Sequence, residues 1–151
     1  QAEIICSSLK EKINGSLKNI DIILSPALGG IVVGYEVGKQ LEKETIFAER
    51  VEKKLMLRRG FVIPANTNVL IVEDVITTGK SALECSNLVK INQAKLSGYA
   101  CIIDRTNSNS LIQEKIISQI KFNIETYKEN ELPEKLRKIP PTNPGSRNIS
   151  K

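Results

Sequence analysis

The chain contains no histidine and no tryptophan, and it has only three phenylalanines and three tyrosines. Without histidine there is no Ser-His-Asp or Cys-His triad, no histidine-bound zinc and no imidazole base. Its chemistry must rest on carboxylates, Lys, Arg, hydroxyls and backbone amides. With so few aromatics, the core is expected to be built from Ile, Leu and Val. The three cysteines, Cys6, Cys85 and Cys101, are scattered, odd in number and not in CxxC spacing. That pattern argues against a disulfide framework or zinc site and fits small buried thiols in a reducing, cytoplasmic setting. No apolar run approaches the ~18 residues that a membrane helix needs. No signal peptide is recognisable.

What is present is ordinary for a globular chain: 151 residues, 40% hydrophobic and 26% charged. One domain over residues 1–139 and a tail over 140–151 are expected. The net charge is +5, from 22 Lys and Arg against 17 Asp and Glu. This mild excess suits an anionic small ligand as well as nucleic acid. An aromatic-studded strand and a basic recognition helix are both lacking, so nucleic acid ranks last among partners. The chain begins with Gln1 inside a helical pattern, and a missing N-terminal portion is expected.

Periodicity predicts helix over residues 3–17 and strand over 21–24, then helix over 31–41 and a second short strand over 45–48. Residues 49–60 are densely charged and read as a hairpin continued by 61–63, followed by a turn at 64–66. Residues 69–72, Val-Leu-Ile-Val, form a continuous apolar run, the mark of a strand buried on both faces. Helix over 82–95, strand over 99–104 and a polar loop over 105–110 follow. Residues 111–126 end in alternation, with Ile120, Phe122 and Ile124 between polar side chains, as in a half-buried strand near a sheet edge. Residues 131–139 read as a short helix. The alternation of strand and helix spells an α/β fold with a mainly parallel central sheet flanked by helices.

Ligands of such sheets bind beyond the carboxyl ends of the strands. Three loops deserve scrutiny there. At 73–81 a buried strand delivers Glu73 and Asp74, then Thr77-Thr-Gly-Lys-Ser opens a helix. Two carboxylates there are costly unless they meet a cation, a metal or sugar hydroxyls. Small hydroxyl residues and Gly at a helix start offer free amides and the positive dipole end, a phosphate cradle. A ribose 5-phosphate has both features at about that separation. The triphosphate P-loop is excluded, because Asp74 stands where its first glycine belongs. The dinucleotide fingerprint fails too, since Gly29-Gly-Ile-Val-Val-Gly is not GxGxxG. The second loop, 25–30 (Ser-Pro-Ala-Leu-Gly-Gly), reads as a second anion site or a tight turn, and the cations of 49–60 as a cover over a polyphosphate or a solvated hairpin. The third loop begins at Arg105.

The segment 69–81 resembles the signature of the type I phosphoribosyltransferases. Ser25-Pro-Ala-Leu-Gly-Gly-Ile, Phe47-Ala-Glu-Arg-Val, Leu57-Arg-Arg-Gly-Phe, Asp104-Arg and Pro144-Gly-Ser-Arg make the chain similar to the bacterial orotate branch of that family. The resemblance implies Mg²⁺-dependent transfer of ribose 5-phosphate from 5-phosphoribosyl 1-pyrophosphate (PRPP) to orotate, in pyrimidine synthesis. It implies that Glu73 and Asp74 hold the ribose hydroxyls, directly or through metal-bound water. Val75, Ile76, Thr77, Thr78, Gly79, Lys80 and Ser81 would cradle the 5′-phosphate. Ala27, Leu28, Gly29 and Gly30 would lie against pyrophosphate, Thr77 and Arg105 against orotate, and Arg50 and Lys53 in a mobile loop that helps catalysis. No direct protein ligand set for the metal is implied. A cytoplasmic homodimer acting on small molecules, with no nucleic acid or membrane partner, is the implied setting.

The chain departs from better-known members of the family. It has no His in the mobile loop, Gly29 stands where they carry Lys, and Lys80 stands where a small residue is common. The family's N-terminal segment, which contributes to both substrates, is not recognised here. Two alternatives stay open: a phosphoribosyltransferase for a purine or uracil, and a PRPP-binding regulatory module without turnover.

Overall fold

The computed structural model describes residues 1–108, 110–125, 127, 129–140 and 142. Asn109 in the polar loop, the end of the 111–126 segment at Thr126, and most of the 140–151 tail with Pro144-Gly-Ser-Arg lie outside the described residues.

The elements run α1 (Ala2–Ser16), β1 (Ile22–Pro26), α2 (Gly29–Leu41), β2 (Glu44–Val51), β3 (Lys54–Leu57), β4 (Asn68–Ile76), α3 (Lys80–Ile91), β5 (Lys95–Asp104), β6 (Ile116–Lys121) and α4 (Glu134–Arg137). The strands form a sheet in the order β3-β2-β1-β4-β5-β6. Among the described residues the β2–β3 pair is antiparallel, and β1–β2, β1–β4, β4–β5 and β5–β6 are parallel. The expected mainly parallel α/β sheet is therefore the fold.

β4 shows why its sequence is apolar without alternation. Val69 and Ile71 join Ala82, Cys85 and Val89 of α3 in one core. Leu70 and Val72 join Cys6, Leu9 and Ile13 of α1 and Val37 of α2 in the other. Both faces are covered, so residues 69–72 are all apolar. The three thiols are free and buried, as expected.

Several boundaries shift. β4 continues through Ile76, so Glu73 and Asp74 are strand residues and only 77–79 form the loop. α2 starts at Gly29 and takes in the loop glycines. α3 ends at Ile91 and β5 begins at Lys95, because Asn92 and Gln93 turn back onto the last carbonyls of the helix. β6 is Ile116–Lys121, and only the start of the alternating stretch lies in it. Ile120, Phe122 and Ile124 are each more than two-fifths exposed, at the free edge. The expected helix over 131–139 is a 3₁₀ turn, Glu129–Glu131, and one helical turn.

The topology has one consequence for function. From β1 the chain moves outward through β2 and β3. It then returns to the middle at β4 and moves outward the other way through β5 and β6. The carboxyl ends of β1 and β4 therefore open a crevice at the point where the winding reverses.

Ile71 is fully buried, whereas Ile91 is 75% exposed. Ile71→Ala should cost about 2–5 kcal/mol in urea unfolding, and Ile91→Ala less than about 0.5 kcal/mol. Equal costs would contradict the assigned faces.

Candidate functional site

The crevice is a cavity of about 690 Å³. Residues 27–30 line it from the β1–α2 junction, 73–81 from the β4–α3 junction, Arg105 from the end of β5, and Arg50 and Lys53 from the β2–β3 hairpin. Every residue to which the family resemblance gave a role in binding or catalysis thus lines one space, and Pro26 joins them. Four cationic side chains, Arg50, Lys53, Lys80 and Arg105, line the same cavity as the two carboxylates. The lining favours an anion that also offers something to an acid pair.

Adjacent strand residues point to opposite faces, and this separates the two acids. Glu73 follows Val69 and Ile71 toward α3, where it is 8% exposed and affects the buried Cys85 and Cys101 electrostatically. Among the described residues it meets no hydrogen-bond donor or cation. Burial, and secondly the charge on Asp74, push its carboxyl up to about 7. Asp74 turns toward the start of α2 and accepts the Val75 amide at 2.9 Å. Gly29 lies directly against it: a Cβ there would fall 2.3 Å from Asp74 Oδ2. A glycine is required where α2 begins because the carboxylate occupies the side-chain space.

The β4–α3 loop is shaped by a second glycine. Gly79 has φ +80°, and a Cβ there would meet Ile112 at 2.7 Å. The left-handed residue turns the chain into α3, and the Thr78 hydroxyl accepts the Lys80 amide at 3.4 Å. The Thr78 carbonyl takes the Leu111 amide at 2.9 Å, tying the loop to the next segment. No acceptor among the described residues meets the amides of Thr77, Thr78, Gly79 or Ser81. These donors, at the positive end of α3, form an anion cradle.

Arg105 enters from β5, its backbone amide bonded to the Ile76 carbonyl at 2.8 Å. Its Nε is buried and unpartnered among the described residues. Behind it, Asp104 is 3% exposed. Asp104 accepts the Thr106 hydroxyl at 2.6 Å and amide at 2.8 Å, and pairs with Lys121 at 3.1 Å. Burial would raise the Asp104 pKa, but the Thr106 bonds and Lys121 outweigh it and hold the group below its usual range.

The hairpin turns at Glu52 and Lys53, both with positive φ (46° and 68°), a type I′ turn that puts Lys53 at the tip. Arg50 donates to Glu84 of α3 at 2.8 Å and to the Lys53 carbonyl at 2.7 Å. Arg58 and Arg59 do not line the cavity. Arg59 makes a two-pronged pair with Glu49, at 3.0 and 2.9 Å, and Arg58 lies 4.0 Å from the same carboxylate. Sequence reasoning missed Glu84 and Lys121, since nothing in a linear pattern reports a partner that the fold supplies.

A winding-reversal crevice with an amide cradle, an acid pair and an arc of cations defines an α/β protein suited to a phosphorylated ligand bearing hydroxyls. A family model described as the phosphoribosyl transferase domain matches residues 1–134. The orotate phosphoribosyltransferase of Methylorubrum extorquens (strain PA1) is 43% identical over 152 aligned residues, 100% of this chain and 78% of that protein. The chain belongs to the phosphoribosyltransferase family. Among solved structures, adenine phosphoribosyltransferase from Thermoanaerobacter pseudethanolicus superposes with a TM-score of 0.68 at 20% identity, covering 79% of each chain. Orotate phosphoribosyltransferase from Aeropyrum pernix does so with a TM-score of 0.63 at 18% identity, covering 78% of this chain and 70% of that one. At these identities the two structures speak for the fold alone.

The Glu73 carboxyl has a sign that can be tested. Its folded-state pKa of about 7 lies above the ordinary 4.5. Folding therefore favours the protonated acid, and stability falls as pH rises through that window. The full cost at high pH is about 3 kcal/mol. Glu73→Gln should gain about 2–3 kcal/mol on the native chain between pH 4.5 and pH 8 in urea unfolding. A difference that does not change with pH would contradict the burial reading.

Proposed function

We propose that the chain is an orotate phosphoribosyltransferase, transferring ribose 5-phosphate from PRPP to orotate to give orotidine 5′-monophosphate and pyrophosphate. The observation that carries this is the convergence of acid pair, amide cradle, cations and Arg105 on one cavity. Relatives bearing that name, 38–43% identical over nearly the whole chain, support the choice of base.

In this reading residues 75–81 hold the 5′-phosphate through the free amides of Thr77, Thr78, Gly79 and Ser81 and the hydroxyls of Thr77, Thr78 and Ser81. Glu73 and Asp74 take the ribose hydroxyls. Residues 27–30 lie along the pyrophosphate, with Arg50 and Lys53 above it. Arg105 presents its unpartnered guanidinium edge to the orotate carboxylate, a natural match for a fork of donors, and Thr77 lies beside the base.

The reaction breaks the bond from C1 to the pyrophosphate oxygen and forms a bond from C1 to a ring nitrogen of orotate. Orotate arrives anionic, so a site without histidine is not handicapped by the lack of a strong base. Charge grows on the departing pyrophosphate, and the cations around it stabilise that charge where water is excluded.

Among the described residues no group of three acidic, cysteine or histidine side chains forms a metal cage. The acid pair instead fits Mg²⁺ held mainly by substrate oxygens and water, with Glu73 and Asp74 nearby. When bound, the ion would neutralise charge on the pyrophosphate. No described helix is long and apolar enough to cross a membrane. A homodimer in the cytoplasm, acting on PRPP and orotate and on no nucleic acid or membrane, completes the reading. One domain spans residues 1–139.

The test is pyrophosphate release from PRPP and Mg²⁺ with orotate, uracil, adenine and hypoxanthine offered in turn. Release is expected with orotate alone and should stop when the metal is chelated. Arg105→Met should raise the orotate KM at least about tenfold, since a charge-assisted pair is lost. Release with another base would reassign the substrate. PRPP binding without release from any base would make the chain a binding module.

A further inference from the structure

The hairpin that brings Arg50 and Lys53 over the cavity lies at an outer edge of the sheet, paired to the rest only through β2. Its position depends on what else holds it. Glu84, on the second turn of α3, does so with a single oxygen: Oε2 accepts from Arg50 Nη1 at 2.8 Å and from the Leu55 amide at 3.2 Å. The same Nη1 donates to the Lys53 carbonyl at 2.7 Å. The guanidinium and the β3 backbone therefore converge on one carboxylate, and the turn tip is tied to it through the guanidinium.

Glu84 itself stands on a fixed support, because Ala82 and Cys85 on either side of it are fully buried. Arg50 lines the cavity, and among the described residues nothing accepts from its Nε or Nη2. Those donors remain for a ligand. The helix that carries Glu84 is also the one whose first turn forms the amide cradle.

We propose that Glu84 is a positioning residue for phosphoribosyl transfer, holding Arg50 at a set distance from the cradle so that its unbonded donors meet the departing pyrophosphate. The proposal rests on the functional reading above and on the role given there to Arg50. Glu84 touches no substrate and acts through the guanidinium. Its side chain is 23% exposed and that of Arg50 36%. Pairs this exposed contribute little to stability, so a loss confined to turnover separates positioning from folding.

The test is a double-mutant cycle on orotate-dependent pyrophosphate release, with thermal unfolding of each protein. Glu84→Ala should lower kcat about tenfold and leave the orotate KM within about twofold. In an Arg50→Ala background the same change should cost less than about twofold, because no guanidinium is left to position. Glu84→Gln keeps an acceptor oxygen for both donors and should return kcat to within about threefold of native. If alanine at position 84 prevents folding, Glu84→Gln and Glu84→Asp run the same cycle. An unchanged kcat in Glu84→Ala, or a second full drop in the Arg50→Ala background, overturns the proposal and leaves the functional reading standing. Native turnover in Arg50→Ala overturns it together with the role of Arg50. A native chain that releases no pyrophosphate removes the functional reading first, and the proposal with it.

Discussion

The molecule is organised around the burial of one carboxylate beside another. β4 carries Glu73 into the apolar layer under α3, with Asp74 next in the chain and, among the described residues, no cation paired with Glu73. A charge so placed is disfavoured by desolvation and by its neighbour, and the raised pKa of Glu73 expresses both. Packing alone would be better served by another aliphatic residue, as at Val69 and Ile71. The acid is intelligible as a group held ready for a partner that arrives with the ligand.

The surrounding structure follows from keeping that pair accessible. The winding of the sheet reverses between β1 and β4, so the strand ends that carry the acids open into a crevice instead of under a crossover helix. Gly29 lets α2 start against the Asp74 carboxylate, and Gly79 lets α3 start beside Ile112 with the Gly79 and Ser81 amides unbonded among the described residues. Cations arrive on three separate supports, a hairpin clasped to α3, the first turn of α3 itself and the end of β5. The acids and the anion cradle share one strand–loop–helix unit, which fixes the distance between them.

Much of this was legible in the sequence because its causes are local. Val69-Leu-Ile-Val states a strand covered on both faces, and the acid pair followed by Thr-Thr-Gly states a helix start with free amides. The parallel order followed from alternating strand and helix patterns. What was not legible depends on distant partners. The end of β4 could not be placed, because charged residues mimic a loop although their backbone still pairs with β5 as far as Ile76↔Asp104. The Phe122 and Ile124 alternation looked like strand, but β6 stops at Lys121. The Arg58-Arg59 pair looked like site cations until Glu49 was seen to take them. Glu84 carried no signal, since a lone glutamate on a helix says nothing of a hairpin folding back onto it.

Burial keeps about half of the Glu73 carboxyls protonated at pH 7 until a ligand arrives. Calorimetry of PRPP binding with Mg²⁺ at pH 7, in two buffers of different ionisation enthalpy, counts the protons exchanged. With a pKa of about 7, the native chain should release roughly half a proton more than Glu73→Gln, as the bound ligand draws the acid into its charged form. Equal proton counts for the two proteins, with PRPP bound to both, would contradict the claim that the buried acid is the ligand's partner.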